Sequence, residues 1–350
     1  MPDLKLTNNF QKILIVRLSS IGDVLQASAV AHSLKKFFPK AHISWVVEDK
    51  SKDVILGHPA LDQVFVWSRR GWFNEAKKTG DYFTLIKRNF EFFRRLRQER
   101  FDIALNLHGL NRADIVCFIS GAKYRICLPN PHERCFGANI RTPNRTFEGR
   151  QAIYKRFLSV LTHFGLEETG EPVMEMGLSA EDQEFAERFL GGHGLRPRGF
   201  IVFNPSSSNS VKCWPGEYFA RLGDLLFQEY KLPIVIFGAA SDKQQAQFIA
   251  GRMSIPVIDA TGTMTLKQLG GVACKAGVFI SGDTGPLFIA YALGAPTVAL
   301  YTSCADAENR HIHYPSSIAL HAEGQSLKNL TVEEVWQAVR LILRSQSAPQ

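Results

Sequence analysis

The chain has 350 residues, of which 45% are hydrophobic and 21% charged, with a formal net charge of +8. That length can bury two sizeable cores, and no apolar run approaches the ~20 residues of a transmembrane helix. The six cysteines lack CxxC spacing and the ten histidines lack an HExxH pattern, so neither a disulfide framework nor a bound metal is expected, and a reducing cytosol fits. Met1-Pro2-Asp3-Leu4-Lys5 carries no apolar core of the signal-peptide kind, and no signal peptide is expected.

The first strand-length run is Lys12-Ile13-Leu14-Ile15-Val16-Arg17-Leu18. It enters the loop Ser19-Ser20-Ile21-Gly22-Asp23, and a helical pattern follows over 24–38, ended by Pro39. Asp23 therefore sits just beyond the C-terminal end of a parallel strand, where open α/β sheets place their ligands. The residues alone leave two readings of it, a helix cap or a working carboxylate. Further strand-like runs fall at 42–47, 63–67, 102–107 and 123–128, with a second clear helical pattern over 81–100.

The positive charge is local. Arg69, Arg70, Lys77, Lys78, Lys87, Arg88, Arg94, Arg95 and Arg97 crowd one window, with Trp67, Trp72 and Phe73 beside them. Basic faces attract nucleic acid, anionic membrane or phosphorylated substrates. No nucleic-acid motif accompanies this one. Arg69 and Arg70 read as a loop after a strand and as anion ligands; Lys87 to Arg97 read as a solvated helical face.

Past Glu167-Glu168-Thr169-Gly170-Glu171-Pro172, a polar break, alternation resumes. Strands are expected at 199–204, 232–237, 255–259, 277–281 and 296–301, with helices at about 215–230, 241–252, 265–276 and 286–293. Such alternation argues for parallel sheets with right-handed crossovers. Two loops in this half carry anion-binding chemistry. Asn204-Pro205-Ser206-Ser207-Ser208 leads to Lys212-Cys213-Trp214-Pro215, with Trp214 read as a core anchor. Ser281-Gly282-Asp283-Thr284-Gly285-Pro286 is a strand–turn–helix whose helix start suits a phosphate or diphosphate. A last helix runs from Thr331 to Arg344, opened by the capping pattern Thr331-Val332-Glu333-Glu334. The resulting division is an N-terminal domain over 1–170, a C-terminal domain over 171–330, and a helix and tail over 331–350.

In this order and spacing, the motifs resemble glycosyltransferase family nine, the ADP-heptose:lipopolysaccharide heptosyltransferases, and within it the type I enzymes. The motifs are Ser19-Ser20-Ile21-Gly22-Asp23-Val24-Leu25, His42-Ile43-Ser44-Trp45-Val46-Val47-Glu48, Arg69-Arg70-Gly71-Trp72-Phe73, Phe101 to Leu110, Lys212-Cys213-Trp214-Pro215 and Asp283-Thr284-Gly285-Pro286. The resemblance implies an α/β protein of GT-B architecture, two Rossmann-like domains with parallel sheets facing across a cleft. It implies an inverting transfer of heptose from ADP-heptose to a phosphorylated, lipid-linked Kdo–lipid A type acceptor. No metal or other cofactor is expected, and no nucleic-acid partner. The work would be done in the cytoplasm, peripherally at the anionic inner face of the cell membrane.

Carried over residue by residue, the resemblance makes Asp23 the catalytic base. It gives the donor diphosphate to Ser207, Ser208, Lys212, Asp283, Thr284 and Gly285, and the acceptor to Arg17, Arg69, Arg70 and Arg112. The chain departs from the pattern at Phe288 and Gln26, where histidine is usual, and at Ala240, where glutamate is usual; Asp242 stands near as a substitute. These departures bear on the donor, so another nucleotide sugar stays open. Two other classes also stay open: a nucleotide-sugar epimerase or hydrolase, which would not need the acceptor arginines, and a silent nucleotide-sugar-binding protein, which would not need Asp23.

Overall fold

The computed structural model describes residues 10–128, 135–142, 152–166, 173–207, 209–312, 314 and 316–347. The chain divides into two compact units, the first ending at Gly177 and the second beginning at Leu178. The expected break at 170/171 lies outside the described residues.

In the first unit the strands are β1 (Lys12–Val16), β2 (His42–Val47), β3 (Gln63–Val66), β4 (Ile103–Asn106), β5 (Tyr124–Cys127) and β6 (Ile140–Arg141). All pair in parallel, in the order β3-β2-β1-β4-β5-β6. Helices α1 (Ile21–Phe37), α2 (Arg69–Thr79), α3 (Tyr82–Gln98) and α4 (Asn111–Ile119) join successive strands, and α5 (Ala152–Leu158) follows them. The strands are continuous apolar runs because both sheet faces are covered; Ile13, Leu14, Ile15 and Val16 are wholly buried. One core gathers Leu14, Val16, Val46, Phe65, Trp67, Phe92 and Leu96.

The second unit begins with helix α6 (Ala180–Gly192). Its strands are β7 (Ile201–Asn204), β8 (Ile234–Ile236), β9 (Val257–Asp259), β10 (Val278–Gly282), β11 (Thr297–Tyr301) and β12 (Ser317–His321). They too are parallel, in the order β12-β11-β10-β7-β8-β9. Helices α7 (Gly216–Tyr230), α8 (Lys243–Ala250), α9 (Leu266–Ala273), α10 (Gly285–Ala292), α11 (Cys304–Arg310) and α12 (Val332–Ser347) complete it. Counted from its own first strand, this sheet repeats the order of the other, and both are the doubly wound 3-2-1-4-5-6 arrangement. The order reverses between β1 and β4 in one unit and between β7 and β10 in the other. Each reversal leaves an opening at the strands' C-terminal ends, because the flanking crossovers leave in opposite directions.

Several expectations change on the structure. Arg69 and Arg70 are not in a loop but open α2, which no local pattern announced. Its first turn carries no acid of its own. The loop after β2 supplies carboxylates instead: Glu48 pairs with Arg69 at 3.5 Å and Asp49 accepts from Ser68 Oγ at 2.8 Å. The short β6 and the half-buried β12 were also missed. The last helix is not set apart: Val335, Ala338, Val339 and Ile342 enter the second unit's core beside Trp214. Against the cysteine reading, Cys127 and Cys135 form a disulfide. Parallel pairing of β5 with β6 returns the chain to the end of β5 and brings the two together.

Trp214 is the anchor expected of it. It is 1% exposed, stacks edge-on to Phe219 at 4.9 Å and donates Nε1–H to Leu330 O at 2.8 Å. Trp214→Ala is predicted to cost about 3–5 kcal/mol, from lost burial and the cavity left behind. Urea unfolding followed by circular dichroism reads this, and a loss under about 1 kcal/mol would contradict the anchor role.

Candidate active site

The first unit's switch point holds a carboxylate among arginines. Chain geometry dictates this: β1 ends at Val16, the next residues turn, and α1 starts with Asp23 in its first turn. Arg17 Nη2 lies 2.7 Å from Asp23 Oδ2, and Ser20 Oγ donates to the same oxygen at 2.9 Å. These contacts orient the carboxylate. Arg17 also donates to Leu107 O at 3.0 Å and lies over the Phe157 ring, so its guanidinium is fixed from three sides.

From beyond the end of β4 come His108 and, in the first turn of α4, Arg112. Arg112 Nη2 meets Ser19 Oγ at 3.2 Å and His108 Nε2 at 2.8 Å. A guanidinium only donates, so His108 Nε2 is the acceptor and the neutral ring carries its proton on Nδ1. Burial, then repulsion from Arg17 and Arg112, pushes the His108 pKa down to about 3. The same loss of water lowers the pKa of Arg17, against the pull of Asp23, and that of Arg156 on α5. Of the four expected acceptor arginines, the structure gathers Arg17 and Arg112 around Asp23. Arg69 and Arg70 stand elsewhere in this unit, at the start of α2. His108 and Arg156 were not picked out. His108 lay inside a recognised motif, whereas nothing local marks Arg156.

The second unit's switch point holds a cation pair around one buried acid. The Asp283 side chain is 4% exposed, with Lys212 Nζ at 2.5 Å and Arg310 Nε at 3.6 Å from its Oδ2. Two cations on one carboxylate leave a net positive charge at the strand ends. Lys212 can stand there because Gly282 lets the backbone in: a Cβ on Gly282 would lie 2.5 Å from Lys212 O. Beside it Asn204 Nδ2 donates to Ser281 Oγ at 2.9 Å and to Thr284 Oγ1 at 3.2 Å, tying the end of β7 to the start of α10.

Gly285 is the first residue of α10 and Pro286 the second. Pro286 has no N–H and that of Leu287 is taken by Thr284 O at 3.1 Å, so this turn's outward donors reduce to Thr284 and Gly285. Ser207 Oγ accepts from Asn209 N–H at 3.2 Å and so shapes its own loop; Ser208 lies outside the described residues. Arg310 was missed, although it ends the helix after β11, the strand next to β10. The next residue, His311, is buried and bonded through Nδ1 to Tyr291 OH at 2.8 Å.

The departures from the family pattern are accommodated as packing. Phe288 is buried and edge-on to Tyr291, Gln26 is buried with Nε2 donating to Gly22 O, and Asp242 accepts from Ala239 N–H at 2.7 Å. Among the described residues one group has metal-ligand spacing, Asp114 with Cys127 and Cys135, and the two sulfurs there are bonded to each other. No helix among the described residues is long and apolar enough to cross a membrane.

Two doubly wound parallel sheets, each with a charged cluster at its switch point, define a two-unit α/β protein of the nucleotide-handling class. More narrowly, residues 89–334 match the family model described as "Glycosyltransferase family 9 (heptosyltransferase)", and the chain belongs to that family and is a glycosyltransferase of GT-B fold. It is 24% identical over 299 residues to the lipopolysaccharide core heptosyltransferase OpsX of Haemophilus influenzae, covering 83% of this chain and 79% of that one. A family 9 glycosyltransferase from Veillonella parvula has the same fold, with a TM-score of 0.83 at 23% identity over 96% of this chain and 98% of its own. The E. coli heptosyltransferase WaaC, solved with ADP, superposes with a TM-score of 0.75 at 19% identity over 95% of this chain and all (100%) of its own.

The buried histidines generate a prediction. Burial also lowers the His58 pKa to about 4, against the attraction of Glu175. Native values below the unfolded ~6.5 mean that the unfolded chain takes up protons first as pH falls. Stability is therefore unaffected by these groups above about pH 6.5 and falls as pH drops from there towards 4, by up to about 1.4 kcal/mol per pH unit for each histidine. Urea midpoints from pH 7.5 to 4.5 should decline, and less steeply in His58→Gln. A flat profile for the unaltered protein would contradict the buried neutral assignment.

Proposed function

We propose that the protein moves a heptose from ADP-heptose onto a phosphorylated Kdo–lipid A type acceptor of the lipopolysaccharide inner core, at the cytoplasmic face of the cell membrane, with inversion at the anomeric carbon. One observation carries the reading: a carboxylate set among arginines at one switch point, and a cation pair set on a buried acid at the other. A transfer between an anionic acceptor and a diphosphate leaving group needs those two kinds of site. The named relatives, a lipopolysaccharide core heptosyltransferase and a heptosyltransferase solved with ADP, support the choice of sugar and nucleotide.

In this reading an acceptor hydroxyl attacks the anomeric carbon, the new C–O bond forms as the bond to the diphosphate breaks, and ADP departs with the electron pair. Asp23 takes the hydroxyl proton. Arg17, Arg112 and Arg156 draw the acceptor's negative groups. An acceptor anion competing for Arg17 loosens its hold on Asp23 and leaves the carboxylate more basic. Arg69 and Arg70 grip phosphate further along the acceptor.

On the donor side Lys212, Arg310 and the Thr284–Gly285 turn receive the diphosphate and stabilise the charge that grows as it leaves. We therefore assign that task to side chains and backbone, with no metal or cofactor, and no nucleic-acid partner. Ser207 shapes the loop that carries Lys212. Asp283 is itself anionic, so it positions the two cations rather than binding phosphate. The donor domain is taken to be the second unit, from Leu178 onward.

Asp23→Asn is predicted to keep ADP affinity and lose about 10²–10⁴ in turnover, read as ADP release in the presence of acceptor. Turnover near that of the unaltered protein would return Asp23 to a helix cap. Arg310→Ala is predicted to weaken ADP binding by about 10- to 100-fold in calorimetry, the worth of one charge-assisted hydrogen bond. Unchanged ADP affinity with weakened acceptor use would reverse the assignment of the two units.

A further inference from the structure

We infer that the exposed face of α3, with the groove between α2 and α3, seats on an anionic lipid bilayer. This deepens the reading of a lipid-linked acceptor, and rests on it, by naming the surface that meets the membrane.

A surface helix needs one apolar face, and α3 has two. Its inner face is satisfied: Phe92 and Leu96 are buried, and Trp67 stacks on Phe92 at 6.0 Å. Phe83 lies nine residues before Phe92, roughly 180° round the helix at 3.6 residues per turn. Yet Phe83 is 78% exposed, and Ile86 and Phe90, at helical spacing from it, are each 67% exposed. Phe73 on α2 and Tyr82 add to the same exposed set. A contiguous apolar patch of this kind marks an interaction surface.

The open groove beside it has a volume of about 520 Å³ and is lined by Phe73, Leu85, Ile86, Phe90 and Phe93, with Asn89 and Arg69 its polar members and Arg69 the one charged. That is the chemistry of an acyl chain ending in an anionic headgroup. Charge settles the occupant. Residues 69–97 hold nine Lys/Arg against three Asp/Glu, and one of those acids, Glu75, is already clasped by Arg88. Lys87 and Arg94 lie one turn beyond Phe83 and Phe90 and are exposed. Aromatic and aliphatic tips flanked by cations match the interface of an anionic bilayer. Two copies of so basic a face would repel each other.

The test is co-sedimentation of the full chain with phosphatidylglycerol–phosphatidylcholine vesicles, with neither nucleotide nor acceptor present. The unaltered protein should bind, and the triple variant Phe83→Ser, Ile86→Ser, Phe90→Ser should bind about tenfold or more weakly while keeping its circular dichroism and ADP affinity. Lys87→Gln with Arg94→Gln should weaken binding at low salt and make no difference at high salt, where exposed charges are screened. Ile86→Trp should shift its emission to the blue when vesicles are added. Equal binding by the triple variant, or no binding by the unaltered protein, overturns the inference. So does a concentration-dependent dimer abolished by the same variant, which would make the face a contact between copies. Binding through this face without any heptose transfer would sink the proposed function and leave this inference standing; transfer to a lipid-free acceptor without vesicle binding would do the reverse.

Discussion

Parallel strands require a crossover for every step, and a crossover's direction sets which way the sheet grows. In both units growth starts from the middle, outward from β1 and then from β4, outward from β7 and then from β10. The loops leaving those central strands part company at the sheet's C-terminal edge. The two charged clusters occupy the two openings that follow. Asp23 and Arg17 come from the end of β1, His108 and Arg112 from beyond β4; Lys212 comes from beyond β7 and Asp283 from the end of β10. The two halves of each cluster, Arg17–Asp23 with His108–Arg112 and Lys212 with Asp283, are far apart in sequence and adjacent only because of this strand order.

Ion pairing then decides how the openings are furnished. A buried carboxylate without a partner is costly, and Asp283 meets that cost with Lys212 and Arg310, leaving a surplus of one positive charge. In the other unit the buried member is Arg17, which the partly exposed Asp23 neutralises, while Arg112 and Arg156 carry the surplus. His108 illustrates the consequence. Placed against two guanidinium groups it stays neutral and serves as a hydrogen-bond acceptor for Arg112, so it orients a cation without adding to the charge.

How much of this could be read in the residues depended on the range of the signal. Strand runs such as Ile13 to Val16 and Val278 to Ile280 are apolar on both faces, and their alternation with helices made the fold class legible. The Asp23 and Asp283 turns were legible because strand, glycine and helix start are contiguous. Arg310 and Arg156 were not, since Arg310 reaches Asp283, and Arg156 feels the charge of Asp23, through tertiary packing alone. The start of α2 was misread because Ser68-Arg69-Arg70 has no acid in its first turn; the missing carboxylates belong to Glu48 and Asp49, some twenty residues earlier. The Cys127–Cys135 disulfide depends on the pairing of β6, a two-residue strand with no pattern of its own. The exposed stripe of α3 was hidden because period alone does not tell which of two apolar faces is buried.

The central claim is the transfer itself. The most direct measurement is mass spectrometry of a Kdo–lipid A acceptor incubated with the purified full chain and ADP-heptose, with released ADP quantified in the same samples. The account predicts an acceptor heavier by one heptose residue, in step with the ADP released, and neither change without the enzyme. ADP released with the acceptor unaltered, or an acceptor modified only when another nucleotide sugar replaces ADP-heptose, would contradict it.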